Sequence, residues 1–175
     1  MDFAMRRRFV FEEVASDPKY CPSDYGGMDL ATTLTGINRR LTVLRGRDFL
    51  LGHSVFMEKS LDTIRRQFTW ADDDSGKTRA VAYTMRTRIV PLLLEYFHED
   101  WRKVEVALGL RAREFGGAKL TFFTVDSLNT EDSNQFEEVF DSDEAIIGQS
   151  ADWWNPEDGA NFNSGAFTEA IASMR

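Results

Sequence analysis

Ile37-Asn38-Arg39-Arg40-Leu41, then Arg47-Asp48-Phe49, then Gly52-His53-Ser54-Val55-Phe56-Met57 is the run whose reading decides the fold. Its first block falls inside a helix. Leu30, Leu34, Ile37, Leu41 and Leu44 recur at steps of four, three, four and three, the apolar stripe of an amphipathic helix. Asp29 is placed to cap its start and Gly46 to end it. Arg39 and Arg40 lie off the stripe. Between Arg47 and Phe56 the chain sets Gly52-His53-Ser54 between two apolar pairs.

Downstream, Ser60 is expected to cap a helix from Leu61 through Phe68. Residues 71–78, Ala-Asp-Asp-Asp-Ser-Gly-Lys-Thr, read as a polar solvent loop, a small insertion. Val81, Met85, Ile89, Leu92, Leu93, Tyr96 and Phe97 carry a second helical pattern. Pro91 inside it implies a kink, or a new helix starting there. Trp101, Val104 and Leu108 extend an apolar face to Gly109. After Gly116-Gly117, Leu120, Phe122 and Val125 with two threonines favour one strand. Residues 126–144 are acidic and poorly periodic, and read as loop. Trp153-Trp154-Asn155-Pro156 reads as a turn, and Phe162, Ala166, Phe167, Ala170, Ile171 and Met174 as a closing helix with Ser164 as its cap.

Upstream, Pro18, Pro22 and Gly26-Gly27 punctuate a connection over 15–28. Phe3, Arg6 and Arg7 sit at helical spacing, and Phe9-Val10-Phe11 reads as a short buried strand. A strand needs neighbours for its backbone hydrogen bonds, so this start reads as the middle of a domain. The expected organisation is mainly α: 1–14, a helix and strand from within a domain; 15–28, a linker; 29–109, a helical unit; and 110–175, an acidic extension with one strand and a closing helix.

Of the 175 residues, 42% are hydrophobic and 29% charged, which fits a soluble globular chain. No apolar run of spanning length and no signal-peptide core occur, so a cytoplasmic location and no membrane partner are expected. Cys21 is the single cysteine, which excludes an internal disulfide and a cysteine-built metal site. The net charge of −8 is uneven. Residues 1–119 hold 20 Lys and Arg against 17 Asp and Glu, while 120–175 hold Arg175 against 12 acidic residues. The acidic end would be repelled by nucleic-acid phosphates, and the first part is too weakly basic for a strong footprint.

Self-contained chemistry is scarce. Gly76-Lys77-Thr78 ends like a phosphate loop, but Ala71 stands where its first glycine is required and three aspartates precede it. Ser54 or Cys21 with His53 or His98 has no supporting nucleophile motif, and two histidines make no strong metal case. Arg6, Arg7 and Arg8 are the better lead. Guanidinium stays charged, binds phosphate oxygens at two points, and stabilises charge developing on a γ-phosphate.

The quoted blocks resemble McrB-type AAA+ GTPases. Asp2 to Phe11 is similar to the segment that ends the AAA+ core there. Ile37-Asn38-Arg39-Arg40-Leu41, Arg47-Asp48 and Gly52-His53-Ser54-Val55-Phe56 are similar to the family's Ile-Asn-x-Arg-Ile, Arg-Asp and Ile-Gly-His-Ser-Tyr-Phe. Ile89-Val90-Pro91-Leu92-Leu93-Leu94-Glu95-Tyr96-Phe97, Asp100-Trp101 and Leu108-Gly109 follow in the same order, covering residues 2–109. The resemblance implies an AAA+ helical lid over 29–109 preceded, over 1–14, by the last helix and strand of the α/β core. It implies that the complete protein is a ring-forming NTPase, with GTP (or ATP) and Mg²⁺ as cofactors, driving DNA translocation for a partner nuclease in a restriction system. Arg7 and Arg8, with Arg6 beside them, match positions expected near the phosphates in the same or the neighbouring subunit. Gly52, His53 and Ser54 match a lid landmark that either packs the lid helices or faces the nucleotide. The phosphate loop, the Walker B carboxylates and the sensor-1 Asn do not occur in these 175 residues. The chain is accordingly expected to be the carboxy-terminal lid part of such an NTPase, inactive alone and dependent on an amino-terminal AAA+ core. The alternative is a stand-alone helical interaction or regulatory module with an acidic tail.

Overall fold

Helix α1, Leu30–Leu44, is the central element, with Leu30, Leu34, Ile37 and Leu41 fully buried. The computed structural model describes residues 15–109, 114–115, 118–119, 122–127, 146–151, 154–159 and 161–175. The other helices are α2, Glu58–Gln67; α3, Asp74–Thr84; α4, Val90–Tyr96; α5, Trp101–Leu108; and α6, Ser164–Ser173. Two short antiparallel pairs accompany them. Strand β1, Glu114–Phe115, pairs with β2, Ala118–Lys119, and β3, Phe123–Ser127, pairs with β4, Ile146–Ser150. No helix among the described residues is long and apolar enough to cross a membrane. The core end expected over 1–14 lies outside the described residues, as does most of the acidic stretch 126–144.

Asp29 caps α1 as its position suggests, accepting the Thr32 N–H at 3.0 Å. The Pro22 carbonyl accepts the Leu30 and Ala31 amides as well, at 3.1 and 3.3 Å. The connection over 15–28 is therefore built into the core. Tyr25 and Met28 are 2% and 1% exposed and exchange both backbone hydrogen bonds across Gly26-Gly27. The two glycines take φ of 62° and 79°, values a two-residue turn of this kind requires.

Several local expectations change. Ser60 lies inside α2, whose first turn starts at Glu58 after Met57. Asn163, one residue before Ser164, caps α6 through the Ala166 N–H at 3.0 Å. Residues 74–78 are the first turns of α3 and not a loop. The Asp73 carboxylate caps that helix at the Gly76 N–H, 2.8 Å away, and Thr78 is buried with its hydroxyl donating to the Asp74 carbonyl at 2.6 Å. Gly76 is there for space, since a Cβ would meet the Ala71 carbonyl oxygen at 2.0 Å. The stretch looked like loop because it lacks an apolar stripe. Its helical signal is the acidic cap and first turn, which favour the positive end of the helix.

Pro91 brings both a distortion and a new start. Met85–Ile89 forms a π turn, with the Val90 N–H reaching back five residues to the Met85 carbonyl. Pro91 then sits in the first turn of α4, where a missing N–H costs little. The wider turn is where a helix accommodates an interior proline. Thr84 and Thr87 hydroxyls donate to the Ala80 and Tyr83 carbonyls at 3.0 and 2.7 Å, a pattern that helps bend a helix.

α6 packs on α1 and α3. The Thr33 hydroxyl donates to the Ile171 carbonyl at 3.5 Å, and a Cβ at Gly36 would stand 2.2 Å from the Met174 carbonyl oxygen. Gly36→Ala must therefore push α6 away, with an expected loss of roughly 1–3 kcal/mol, the usual cost of overpacking, read as a lower urea midpoint. Asp29→Ala removes the α1 cap at a cost of about 1 kcal/mol near neutral pH. Hydrogen bonds from Thr32 hold the Asp29 carboxyl below its usual 3.8. The native carboxylate thus contributes stability above that pH and loses it as pH falls further, so the gap between Asp29→Ala and the unmodified chain should close in strong acid.

Candidate functional site at the Gly52-His53-Ser54 turn

The turn is positioned from α1. Two residues advance a helix by about 200°, so Asn38 and Arg40 face opposite sides. Asn38 grips Leu51 twice: its Oδ1 accepts the Leu51 N–H at 2.8 Å, and its Nδ2 donates to the Leu51 carbonyl at 2.9 Å. Nδ2 also donates to the Ser16 hydroxyl at 3.2 Å. Leu51, 1% exposed, anchors the loop from below. Gly52 then leads into a single 3₁₀ turn, His53–Val55, and fully buried Phe56 closes it. Asn38 belongs to the sequence blocks but was not singled out as a site residue. Its signal is a residue of low helix propensity inside a clear amphipathic helix.

Gly52 and Ser54 are exposed, while His53 is half-buried and turned to the entry segment. His53 Nδ1 accepts the Asp17 N–H at 3.2 Å. Its ring lies 5.0 Å from the Tyr20 ring at an interplanar angle of 34°. Asp17 caps the 3₁₀ turn Pro18–Tyr20 through the Lys19 N–H, and a side-chain hydrogen bond from Lys19 holds the Asp17 carboxyl below its usual value. Cys21 Sγ reaches the His53 carbonyl at 3.5 Å and not the imidazole. Burial and then the Asp17 carboxylate push the Cys21 thiol up to about 11, so at neutral pH it is protonated and a poor nucleophile.

His98 lies apart from this turn in the α4–α5 connection, exposed, with φ of 54°. Among the described residues no three His, Cys, Asp or Glu gather where they could hold a metal ion. Gly76-Lys77-Thr78 presents no phosphate cradle. Asp73 occupies the helix start, and Lys77 Nζ lies over the Tyr25 ring at 5.8 Å. Arg6, Arg7 and Arg8 lie outside the described residues. A groove of about 420 Å³ follows the outer face of α1. Thr35, Arg39, Val43, Leu44, Val106 and Arg175 line it, and Val43 is 83% exposed.

The architecture is a small helical bundle with residues 15–28 packed onto it. Residues 29–105 match the family model of the McrB alpha-helical lid domain. That stretch of the chain has the sequence pattern of a McrB-type helical lid domain. Comparison with curated proteins returns no match.

The packing of Cys21 is testable. Iodoacetamide at pH 8 should alkylate the native chain at least tenfold more slowly than the urea-unfolded chain. Equal rates would mean that the thiol is neither buried nor raised.

Proposed function

We propose that the chain closes as a lid over GTP (or ATP) and Mg²⁺ held by the phosphate loop of an AAA+ core, supplied by the same gene or a separate one. The observation that carries this reading is the family match over 29–105, which falls on the bundle built around α1 and includes the whole Gly52-His53-Ser54 turn. In this reading exposed Gly52 and Ser54, with His53 between them, lie on the nucleotide side of the lid. Arg7 and Arg8, with Arg6 beside them, contact the phosphates of the same or the neighbouring subunit. The complete assembly is a ring that drives DNA translocation for a partner nuclease. The weak basic balance of residues 1–119 is consistent with DNA being reached only through that assembly.

A second reading, a stand-alone interaction module, has one observation in its favour. Val43 and Leu44 are exposed side by side in the groove of α1, and neighbouring exposed apolar side chains mark contact surfaces.

The test is GTP and ATP hydrolysis by the purified chain, alone and mixed with a McrB-like AAA+ core that lacks its own lid. The expected result is no turnover alone and turnover on mixing, with Arg7→Ala or Arg8→Ala lowering kcat on the order of a thousandfold. Nucleotide-independent capture of the core, with no turnover, would favour the interaction module. Turnover by the chain alone would overturn the lid reading.

A further inference from the structure

The prolines and glycines between Pro18 and Gly27 punctuate residues 15–28, which a sequence reading makes a linker between core and lid. The structure binds residues 16–25 to the lid at four places. Ser16 Oγ accepts from Asn38 Nδ2 at 3.2 Å. The Asp17 N–H donates to His53 Nδ1 at 3.2 Å. Cys21, 6% exposed, reaches the His53 carbonyl at 3.5 Å. The Tyr25 hydroxyl donates to Asp62 of α2 at 2.9 Å. Two of these ties come from side chains in the quoted blocks, one on α1 and one in the 3₁₀ turn. Asn38 also holds Leu51, the residue just before that turn.

From this geometry we infer that Asn38 and His53 are positioning residues. Together they clasp residues 16–21 onto the lid, so that residues 16–28 travel with it as one body. A lid movement driven by nucleotide therefore does not bend within the Pro18–Gly27 stretch. The functional part of this inference rests on the lid reading above, whereas the clasp itself is a property of the chain alone. Asn38 and His53 act through the Ser16 hydroxyl and the backbone of Asp17 and Leu51, and neither role requires contact with a substrate.

Amide hydrogen exchange, followed by NMR on the 175-residue chain, tests the clasp. The Asp17, Cys21, Tyr25, Met28 and Leu51 amides are expected to exchange slowly, as the interior of α1 does. His53→Ala should speed exchange at Asp17 tenfold or more while leaving Tyr25 and Met28 slow. Asn38→Ala should speed Leu51 by a similar factor. The deciding comparison is between two polar replacements of His53. Asn places a carboxamide oxygen where Nδ1 stood and should restore Asp17 protection. Gln reaches past that point, toward the position of Nε2, and should not. A purely space-filling role for His53 would make Asn and Gln equivalent, and that result overturns the inference. So does fast exchange across 16–21 in the unmodified chain. If His53→Ala disturbs folding overall, the Asn and Gln pair still decides. The experiment needs no core or nucleotide, so failure of the mixing assay would defeat the lid function without touching the clasp, and the reverse also holds.

Discussion

The carbonyl ends of two helices converge on one guanidinium. Arg40 Nε donates to the Ala107 carbonyl at 2.8 Å, and Nη2 to the Leu108 carbonyl at 3.2 Å. Nη2 also donates to the Met174 carbonyl. The last carbonyls of a helix have no partner within it and carry the negative end of its dipole. A single planar fork of donors with a fixed positive charge satisfies both α5 and α6. Close approach is the condition for this. α6 comes so near α1 that position 36 has no room for a Cβ, and the Arg40 guanidinium lies against Gly109, the left-handed cap of α5. The arrangement of α1, α5 and α6 follows from that one side chain and the two small residues beside it.

Two more arginines repeat the device. Arg79 donates to the Pro156 carbonyl at 2.8 Å and stands over the Phe162 ring. Arg86 donates to the Ala151 carbonyl at 3.1 Å and stands over Trp154. Between them the Phe122 carbonyl accepts both the Ala151 N–H, at 2.8 Å, and the indole N–H of fully buried Trp154, at 3.0 Å. A chain segment without regular structure has to find donors for its buried carbonyls. Here α3 and the π turn provide them from long side chains whose stems also cover aromatic faces. Arg65 plays a related part on α2. It is 6% exposed, pairs with Asp62 and Asp72, and donates to the Trp70 carbonyl. Those partners offset the cost of burying its charge.

Much of the lid was legible because its signals are local. The stripe from Leu30 to Leu41, the cap Asp29 and the disruption at Pro91 each depend on a few neighbouring residues, and the structure places them where those rules put them, while Leu44 at the end of the stripe is exposed. Ser60 and Ser164 misled because a helix start offers several polar residues in a row. Only geometry decides whether the side chain or its neighbour turns back to the N–H groups. Asp73 and Gly76 were missed for the opposite reason: a helix can begin on polar residues when its apolar contacts start nearly two turns later, at Ala80 and Val81. At the site, the quoted blocks located the Gly52-His53-Ser54 turn but not what holds it. The Asn38 contact to Leu51 spans 13 residues and the His53 contact to Asp17 spans 36, distances at which spacing in the sequence carries no directional information.

α1 therefore has two separate duties. On one side Asn38 fixes the loop before the His53 turn and the entry segment. On the other, Arg40 fixes the ends of α5 and α6. Nearly all of these ties end on backbone atoms, whose positions do not change with side-chain rotamers, and the space between is filled by fully buried Leu34, Ile37 and Leu41. Close-packed interiors transmit displacement with little compression. A shift of α1 along its axis would have to break the amide grip on Leu51 and the guanidinium grip on Met174 together. The residues that shape the candidate site and those that close the bundle are thus coupled through one helix. Whatever force reaches the Gly52-His53-Ser54 turn is carried by the whole lid, not absorbed by a loop.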